Sequence, residues 1–306
     1  MFAIVSAISQ RLNLMLTKAK NITHEHILRI INTEVGGEIK NLQKTVKILE
    51  LGCGNGNLLS YLSHNLTKLQ NDTNFELYGI DVTDHCIDST LEFPGIVIAS
   101  LLNDHPEIDW QSRIHATLAG QAWPFENEYF DLIISNQVLE HVDDHEQIFS
   151  ESNRVLKDGG ICVHLFPLKN YIYEAHVNLP YSHRISNHKL SKTYIKIMNY
   201  LGFGTYKRVK EQYNSLDDYS EETMRYLHKY TNYLTKRQLY NCAKNNKLFL
   251  EFKYTSEFYK LKLRDIFKLN KAYKYNNNRN FLIDALSLLF LKYVSSITVM
   301  LKKLPD

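Results

Sequence analysis

VKILELGCGNGNLL (residues 46–59) decides the fold. Its first six residues form a short β-rich run, the chain turns at Gly52, and a helical spacing of Leu58, Leu59 and Leu62 follows at once. A strand that turns into a helix through Gly52-Cys53-Gly54-Asn55-Gly56 lets the backbone pass close beneath a ligand, because no Cβ blocks the approach. The spacing is G-x-G-x-G. A dinucleotide loop, G-x-G-x-x-G, would need its third glycine where Asn57 stands.

Working outward, the pattern repeats. FELYGI (75–80) is a second strand ending at Asp81, with a helix expected over 84–91. Ile114 to Leu118 is a short third strand and FDLIIS (130–135) a fourth. A helix over 144–156 stops before Asp158-Gly159-Gly160, and ICVHLF (161–166) is a fifth strand. Short branched strands alternating with helices predict a parallel, doubly wound α/β sheet covered on both faces. Residues 1–44 read as N-terminal helices, with Thr23 as the N-cap of HEHILRIINTEV, and 45–168 as the ligand-binding core. The Tyr- and Lys-rich stretch 169–230 reads as a substrate or lid insertion after the fifth strand. Residues 231–259, a helix capped by Thr235 and the strand-like LFLEFKYT (248–255), complete the core. Residues 260–306 read as a basic linker and a C-terminal apolar helix.

Composition agrees with a globular chain: 306 residues, 44% hydrophobic and 23% charged. The net charge of +3 hides an asymmetry, since residues 1–168 hold 11 Lys/Arg against 22 Asp/Glu and residues 169–280 hold 22 against 9. The two halves attract each other or are solvated, or the basic half faces an anionic substrate or surface. The four cysteines form no C-x-x-C pair, which excludes a zinc ribbon or thioredoxin motif and fits a reducing, cytoplasmic setting. The N-terminus is apolar but lacks the basic flank and cleavage site of a signal peptide.

Ligand identity follows from two acids. Glu50 beside the loop suits a cationic group, an ammonium or a sulfonium, better than a phosphate. Asp81 lies 25 residues after Gly56, where a carboxylate can accept both hydroxyls of a ribose. Together they suit a nucleoside bearing a charged amino acid, which describes S-adenosylmethionine. The alternative reading is a purely structural glycine turn.

Residues 46–167, about 40% of the chain, resemble a class I S-adenosylmethionine-dependent methyltransferase of the methyltransferase type 11 domain family. Four stretches carry the resemblance in order: ILELGCGNGNLL (48–59), YGIDVTD (78–84), WPFENEYFDLIISNQVLEHV (123–142) and RVLKDGGICVHLFP (154–167). The resemblance implies a Rossmann-like sheet. It places Glu50, Gly52, Cys53 and Gly54 at the methionine end, Asp81 on the ribose, Val82 beside the adenine, and Asn136 and Gln137 under the cofactor near the methyl group. Where the family has an acid for the adenine amino group, this chain has Ala119, so Gly120 and Gln121 are the candidates to take its place.

A sulfonium methyl is already activated, so the protein supplies alignment, and a base is needed only where the acceptor must lose a proton. His141, five residues after Asn136, is the candidate base; packing at the start of the next helix is the other reading. His141, Asp143, Asp144 and His145 show no distant further ligand, so no metal is assigned. His183 and Arg184 are candidate substrate residues, with Arg184 pairing either an acceptor anion or the acidic core, and Tyr171, Tyr173 and Tyr181 either wall a pocket or pack. The chain lacks the Asn/Asp-Pro-Pro-Tyr of amino-group base methylation and a Pro-Cys nucleophile. The expected acceptor is a small molecule, lipid or glycan, methylated at oxygen. An RNA methyltransferase and a non-catalytic methyltransferase-like partner protein are the alternatives, with nucleic acid ranked lower.

Phe281 to Leu301 could span a bilayer by length, but Asp284 and Lys292 would each cost roughly 2.5–3.5 kcal/mol near a helix centre. Asp284, Ser287, Ser295, Thr298 and Lys302 fall on one side of a helical wheel. The segment 281–301 is therefore expected either to lie peripherally on the inner face of a membrane or to dock on protein.

Overall fold

The computed structural model describes residues 16–36, 45–83, 93–269, 275 and 281–305. Its elements in chain order are α1 (Ile22–Val35), β1 (Thr45–Leu51), α2 (Asn57–Leu69), β2 (Asn74–Val82), α3 (Gly95–Asp104), β3 (Ile114–Thr117), β4 (Phe130–Asn136), α4 (His145–Val155) and β5 (Leu156–Phe166). There follow β6 (Tyr173–Glu174), β7 (Leu179–Pro180), α5 (His188–Tyr200), α6 (Tyr206–Val209), α7 (Leu216–Lys229), α8 (Lys236–Asn245), β8 (Leu248–Glu251), α9 (Thr255–Ile266), α10 (Phe281–Leu291) and β9 (Ile297–Lys303).

Seven strands form one sheet in the order β3-β2-β1-β4-β5-β9-β8. The first five are parallel, and β9 inserts antiparallel between β5 and β8. Successive strand residues point to opposite faces, so neighbours divide between two cores. Ile48, Leu132 and Val163 face α1 and α2 through Ile27, Ile31, Leu59 and Leu62. Leu49, Ile133, Cys162 and Val299 face α4 and α8 through Phe149, Val155 and Leu239. Burying each such side chain contributes about 1.5–3 kcal/mol. This is the doubly wound Rossmann-like architecture expected of the sequence, and the strand positions agree within a few residues.

Local details differ. Asn21, not Thr23, caps α1: its Oδ1 accepts from His24 N at 3.0 Å, and the Thr23 hydroxyl donates to the same oxygen. β5 begins at Leu156, ahead of the expected Ile161, because the Gly159 turn (φ +73°) lets the strand continue past Asp158-Gly159-Gly160 with a register shift against β4. Thr235 caps α8 as expected, in a reciprocal capping box with Gln238. The helix expected over 84–91 lies outside the described residues, as do residues 1–15 and 37–44.

The largest correction lies at the C-terminus. Residues 281–301 are not one helix: α10 ends at Leu291, and the chain returns as β9 in the middle of the sheet half that follows β5. The wheel face that included Thr298 and Lys302 does not exist. Thr298 Oγ1 instead meets buried His26 Nε2 at 2.8 Å, and its amide donates to Thr255 Oγ1 at 3.0 Å. Among the described residues no helix is long and apolar enough to cross a membrane.

The insertion after β5 has its own core of Val177, Leu179, Ile195, Tyr219, Met224 and Leu227. Lys192 and Lys196 of α5 pair with Asp217 of α7 at 2.8 Å. Lys253 reaches Glu34 of α1 at 2.8 Å. The basic half thus meets acids both within itself and in the acidic front half.

Candidate active site

The carboxyl ends of β1, β2 and β4 open into a cleft of about 430 Å³. The sheet supplies Gly52, Asp81, Val82, Asn136 and Gln137 to its wall, and the loop after β3 supplies Ala119, Gly120 and Gln121. The loop after β4 adds His141, and the insertion adds Tyr226 and Tyr230.

The glycine turn is held tightly. Gly52 N donates to Ile80 O at 2.8 Å, and Gly52 adopts φ +69°. A Cβ there would sit 2.4 Å from Val138 Cγ2. Gly52→Ala should therefore destabilise the fold by about 2 kcal/mol through left-handed backbone strain and overpacking, a loss that chemical denaturation would register.

Asp81 organises the loop from the neighbouring strand. Its Oδ2 accepts from Gly54 N at 2.7 Å, and its Oδ1 accepts from Val82 N at 2.8 Å. Burial raises its pKa, and these two amide bonds pull the other way. Glu50 is buried beneath the loop and does not form part of the cleft wall. Burial, then the charge of Asp81, pushes its carboxyl well above the ordinary range, against a backbone hydrogen bond at Leu59, and its Oε2 has no hydrogen-bond partner. Cys53 also lies below the wall: its thiol is buried, with its pKa pushed up by burial and then by Glu50 and Asp81. Gly79 makes room for it, since a Cβ there would meet Cys53 Sγ at 2.9 Å.

Asn136 and Gln137 end β4 under the cleft. Asn136 Oδ1 is buried without a hydrogen-bond partner. Gln137 takes φ +57°, and its amide group turns away from the cleft to Leu165 O (3.2 Å) and Ser296 Oγ (3.3 Å). A non-glycine residue held in the left-handed region at a strand end is common at ligand sites.

His141 Nδ1 donates to Tyr230 O at 2.6 Å, a bond that leaves Nε2 as the acceptor nitrogen of the neutral ring. The His176 ring packs edge-on against His141 at 5.0 Å between centroids. Behind them lies a buried polar cluster. Glu174 accepts from Tyr233 OH at 2.7 Å, Val177 N at 2.9 Å and His176 Nδ1 at 2.5 Å. Burial pushes Glu174 up, but these bonds outweigh it and hold the carboxyl below its usual value, while His176 is raised by the same carboxylate despite burial. Glu140 is buried nearby with neither carboxyl oxygen hydrogen-bonded to another group, and burial pushes its pKa to about 8. Asn232 clasps this turn, its amide N–H reaching Glu140 O at 2.6 Å and its side chain reaching Val142 O at 3.0 Å.

His183 and Arg184 lie elsewhere. Both bind the loop after β5, with His183 Nε2 on Lys169 O at 3.2 Å and Arg184 Nε on Lys169 O at 3.1 Å. Arg184 also donates to Asn170 O. Neither forms part of the wall of this cleft; both fasten the loop after β5, and the Arg184 side chain donates to its carbonyls. Tyr171, Tyr173 and Tyr181 are likewise absent from the wall. Trp123, Tyr226 and Tyr230 are aromatic wall residues beyond those expected from the sequence; the i, i+4 spacing of the two tyrosines at the end of α7 is a local signal for them. His145 Nε2 bonds Leu139 O at 2.7 Å, which fixes the turn that carries His141. Among the described residues no group of three His, Cys, Asp or Glu could hold a metal ion.

A family profile described as "Methyltransferase domain" matches residues 14–247. A Dictyostelium discoideum protein described as "Probable polyketide synthase 22" is 27% identical over 193 residues, 63% of this chain but 7% of its own length. An uncharacterised protein of Methanocaldococcus jannaschii is 28% identical over 102 residues, 32% of this chain and 50% of its own length. The chain therefore spans only a part of these curated relatives. Among solved structures, a Haemonchus contortus phosphoethanolamine N-methyltransferase 2 in complex with S-adenosyl-L-methionine superposes with a TM-score of 0.45 at 13% identity, covering 94% of this chain and 58% of that one.

Proposed function

This chain belongs to the methyltransferase domain family, matched over residues 14–247, and from that premise we propose that it transfers a methyl group from S-adenosylmethionine to a small-molecule acceptor. The observation that carries the reading is the pair of carboxylates at the glycine turn, Glu50 buried beneath it and Asp81 half-buried in the cleft wall. Glu50 and Asp81 are both raised toward neutrality, and Glu50 keeps an unpartnered oxygen. A cationic ligand nearby favours their charged forms, whereas a pyrophosphate would disfavour them further. The residues present fit the donor.

When bound, the donor supplies a methyl group already activated by its sulfonium, which leaves alignment to the protein. Asp81 accepts the ribose hydroxyls while its other contacts hold the loop. Val82 and the 119–121 loop flank the adenine, with Gln121 and the Gly120 backbone standing where the family's acid would be. Gly52 and Gly54 offer backbone at the amino-acid end, over the negative potential of Glu50. Asn136 and Gln137 lie under the reacting methyl.

The acceptor sits between the sheet and the insertion, against Tyr226 and Tyr230. His141 receives the acceptor's proton at Nε2, held in that tautomer by the Tyr230 carbonyl. A base on the acceptor side fits a hydroxyl acceptor, on a small molecule, a lipid or a glycan.

Calorimetric titration with S-adenosylmethionine tests the cofactor, and release of labelled methyl to an extract fraction tests the transfer. His141→Gln should leave cofactor affinity within about twofold and lower turnover by roughly a hundredfold. Folded protein that gives no heat at millimolar cofactor would overturn the reading.

A further inference from the structure

We propose that the C-terminal ends of α9 and α10 form a docking surface for an anionic phospholipid bilayer. The proposal stands apart from the methyl-transfer reading, because none of its residues lies in the cleft wall.

α9 and α10 pack side by side and run in the same direction. Ser256 Oγ meets Asp284 Oδ1 at 3.1 Å, and further along Lys262 Nζ meets Ser295 Oγ at 3.2 Å. Their C-terminal ends therefore lie together. α9 buries Phe258 and Leu261 but exposes Ile266 (70%), and Phe267 (67%) and Leu269 follow it in the open. α10 buries Asp284 and Leu288 and exposes Leu286, Leu289 and Phe290 (74%). Single exposed apolar side chains are ordinary on a soluble surface, whereas a cluster of large ones marks an interaction site.

Charge identifies the occupant. Lys260, Arg264 and Lys268 are exposed on or just after α9 and half-buried Lys292 follows α10; against these four cations stand exposed Asp265 and half-buried Glu257, which pairs with Lys260 at 3.0 Å, so the cations remain in excess. An apolar ridge rimmed by cations matches a bilayer interface that carries anionic headgroups. A second copy of this chain would bring the same positive rim against itself across a two-fold contact. At about 1.5 Å per residue, α10 is too short to cross a hydrocarbon core of about 30 Å, so it lies in the interface. The surface is also coupled to the cleft floor. The turn after α10 carries Ser296, on which the Gln137 side chain rests at 3.3 Å, and Tyr293 O accepts from Ile172 N at 2.9 Å.

The test is co-sedimentation of the full chain with vesicles of phosphatidylcholine alone and of phosphatidylcholine mixed with phosphatidylglycerol. Binding to the mixed vesicles should be at least roughly tenfold stronger and should fall with salt. Leu286→Ser with Phe290→Ser should abolish it while leaving the melting curve and S-adenosylmethionine affinity unchanged, since both side chains are exposed. Arg264→Glu with Lys268→Glu should remove the preference for the anionic lipid. Absence of binding, equal binding to both vesicles, or binding that the apolar variant retains would overturn the proposal. So would a concentration-dependent dimer, without vesicle binding, that Phe290→Ser dissolves.

Discussion

Asp81→Ala is expected to weaken S-adenosylmethionine binding by about 10²–10³-fold, measured by calorimetry on folded protein. Two losses add. The variant has no acceptor for the ribose hydroxyls, and hydrogen bonds to a charged group contribute about 1.5–3 kcal/mol each. It also frees Gly54 N and Val82 N, so the turn loses the two contacts that shape it before ligand arrives. Asp81→Asn separates these effects. Its side-chain oxygen can still accept from Gly54, so the turn should persist while ribose recognition suffers. An affinity for Asp81→Ala within a factor of three of the parent would remove the assigned role.

The second large effect concerns pH. Glu140 in the folded protein holds its proton up to about pH 8, against an ordinary value of 4.5, because burial opposes ionisation. Between those values the folded state keeps a proton that the unfolded chain has released. Stability from this group is therefore lost as pH rises from 4.5 to 8, by about 1.4 kcal/mol per pH unit, and changes no further above that. The groups facing it are Glu174, His176, Tyr226 and Tyr233. His176, raised by Glu174, works in the same direction: its contribution is complete below 6.5 and declines as pH passes its folded value. Glu140→Gln removes one component and leaves the others. The variant should match the parent near pH 4 and exceed it by several kcal/mol at pH 9, read from urea denaturation across that range. Parallel stability curves for the two proteins would refute the buried-proton account.

The readable parts of the site are those set by local geometry. Gly52, Asp81, Asn136 and Gln137 sit at strand ends, and a strand end is a position that a short run of branched residues marks directly. His141 follows from the same logic, five residues past β4. The i, i+4 spacing of Tyr226 and Tyr230 marks one helix face, but setting that face against the cleft requires knowing that α7 folds back over it, a contact about ninety residues from the turn it touches. Arg184 shows a contact that no local pattern marks. A cation in a pocket-forming segment invites an anionic partner, but the carbonyls of residues 169–171 lay closer. The C-terminus failed for a different reason. A stretch such as Ile297–Lys303 has no period that separates a buried strand from a helix, so length and flanking residues must decide, and the break at Ser295-Ser296 is a weak signal. The strand also pairs with β5, made more than a hundred residues earlier, which no local pattern records.

That late strand has a bearing on synthesis. As the protein leaves the ribosome, β5 emerges with one edge open and keeps it open until β9, more than a hundred residues further along, has been translated. The nascent sheet is thus a template for stray pairing throughout that interval. The family match stops at residue 247, so a gene trimmed at that boundary would encode a permanently unfinished edge and should yield inclusion bodies, however complete its catalytic half.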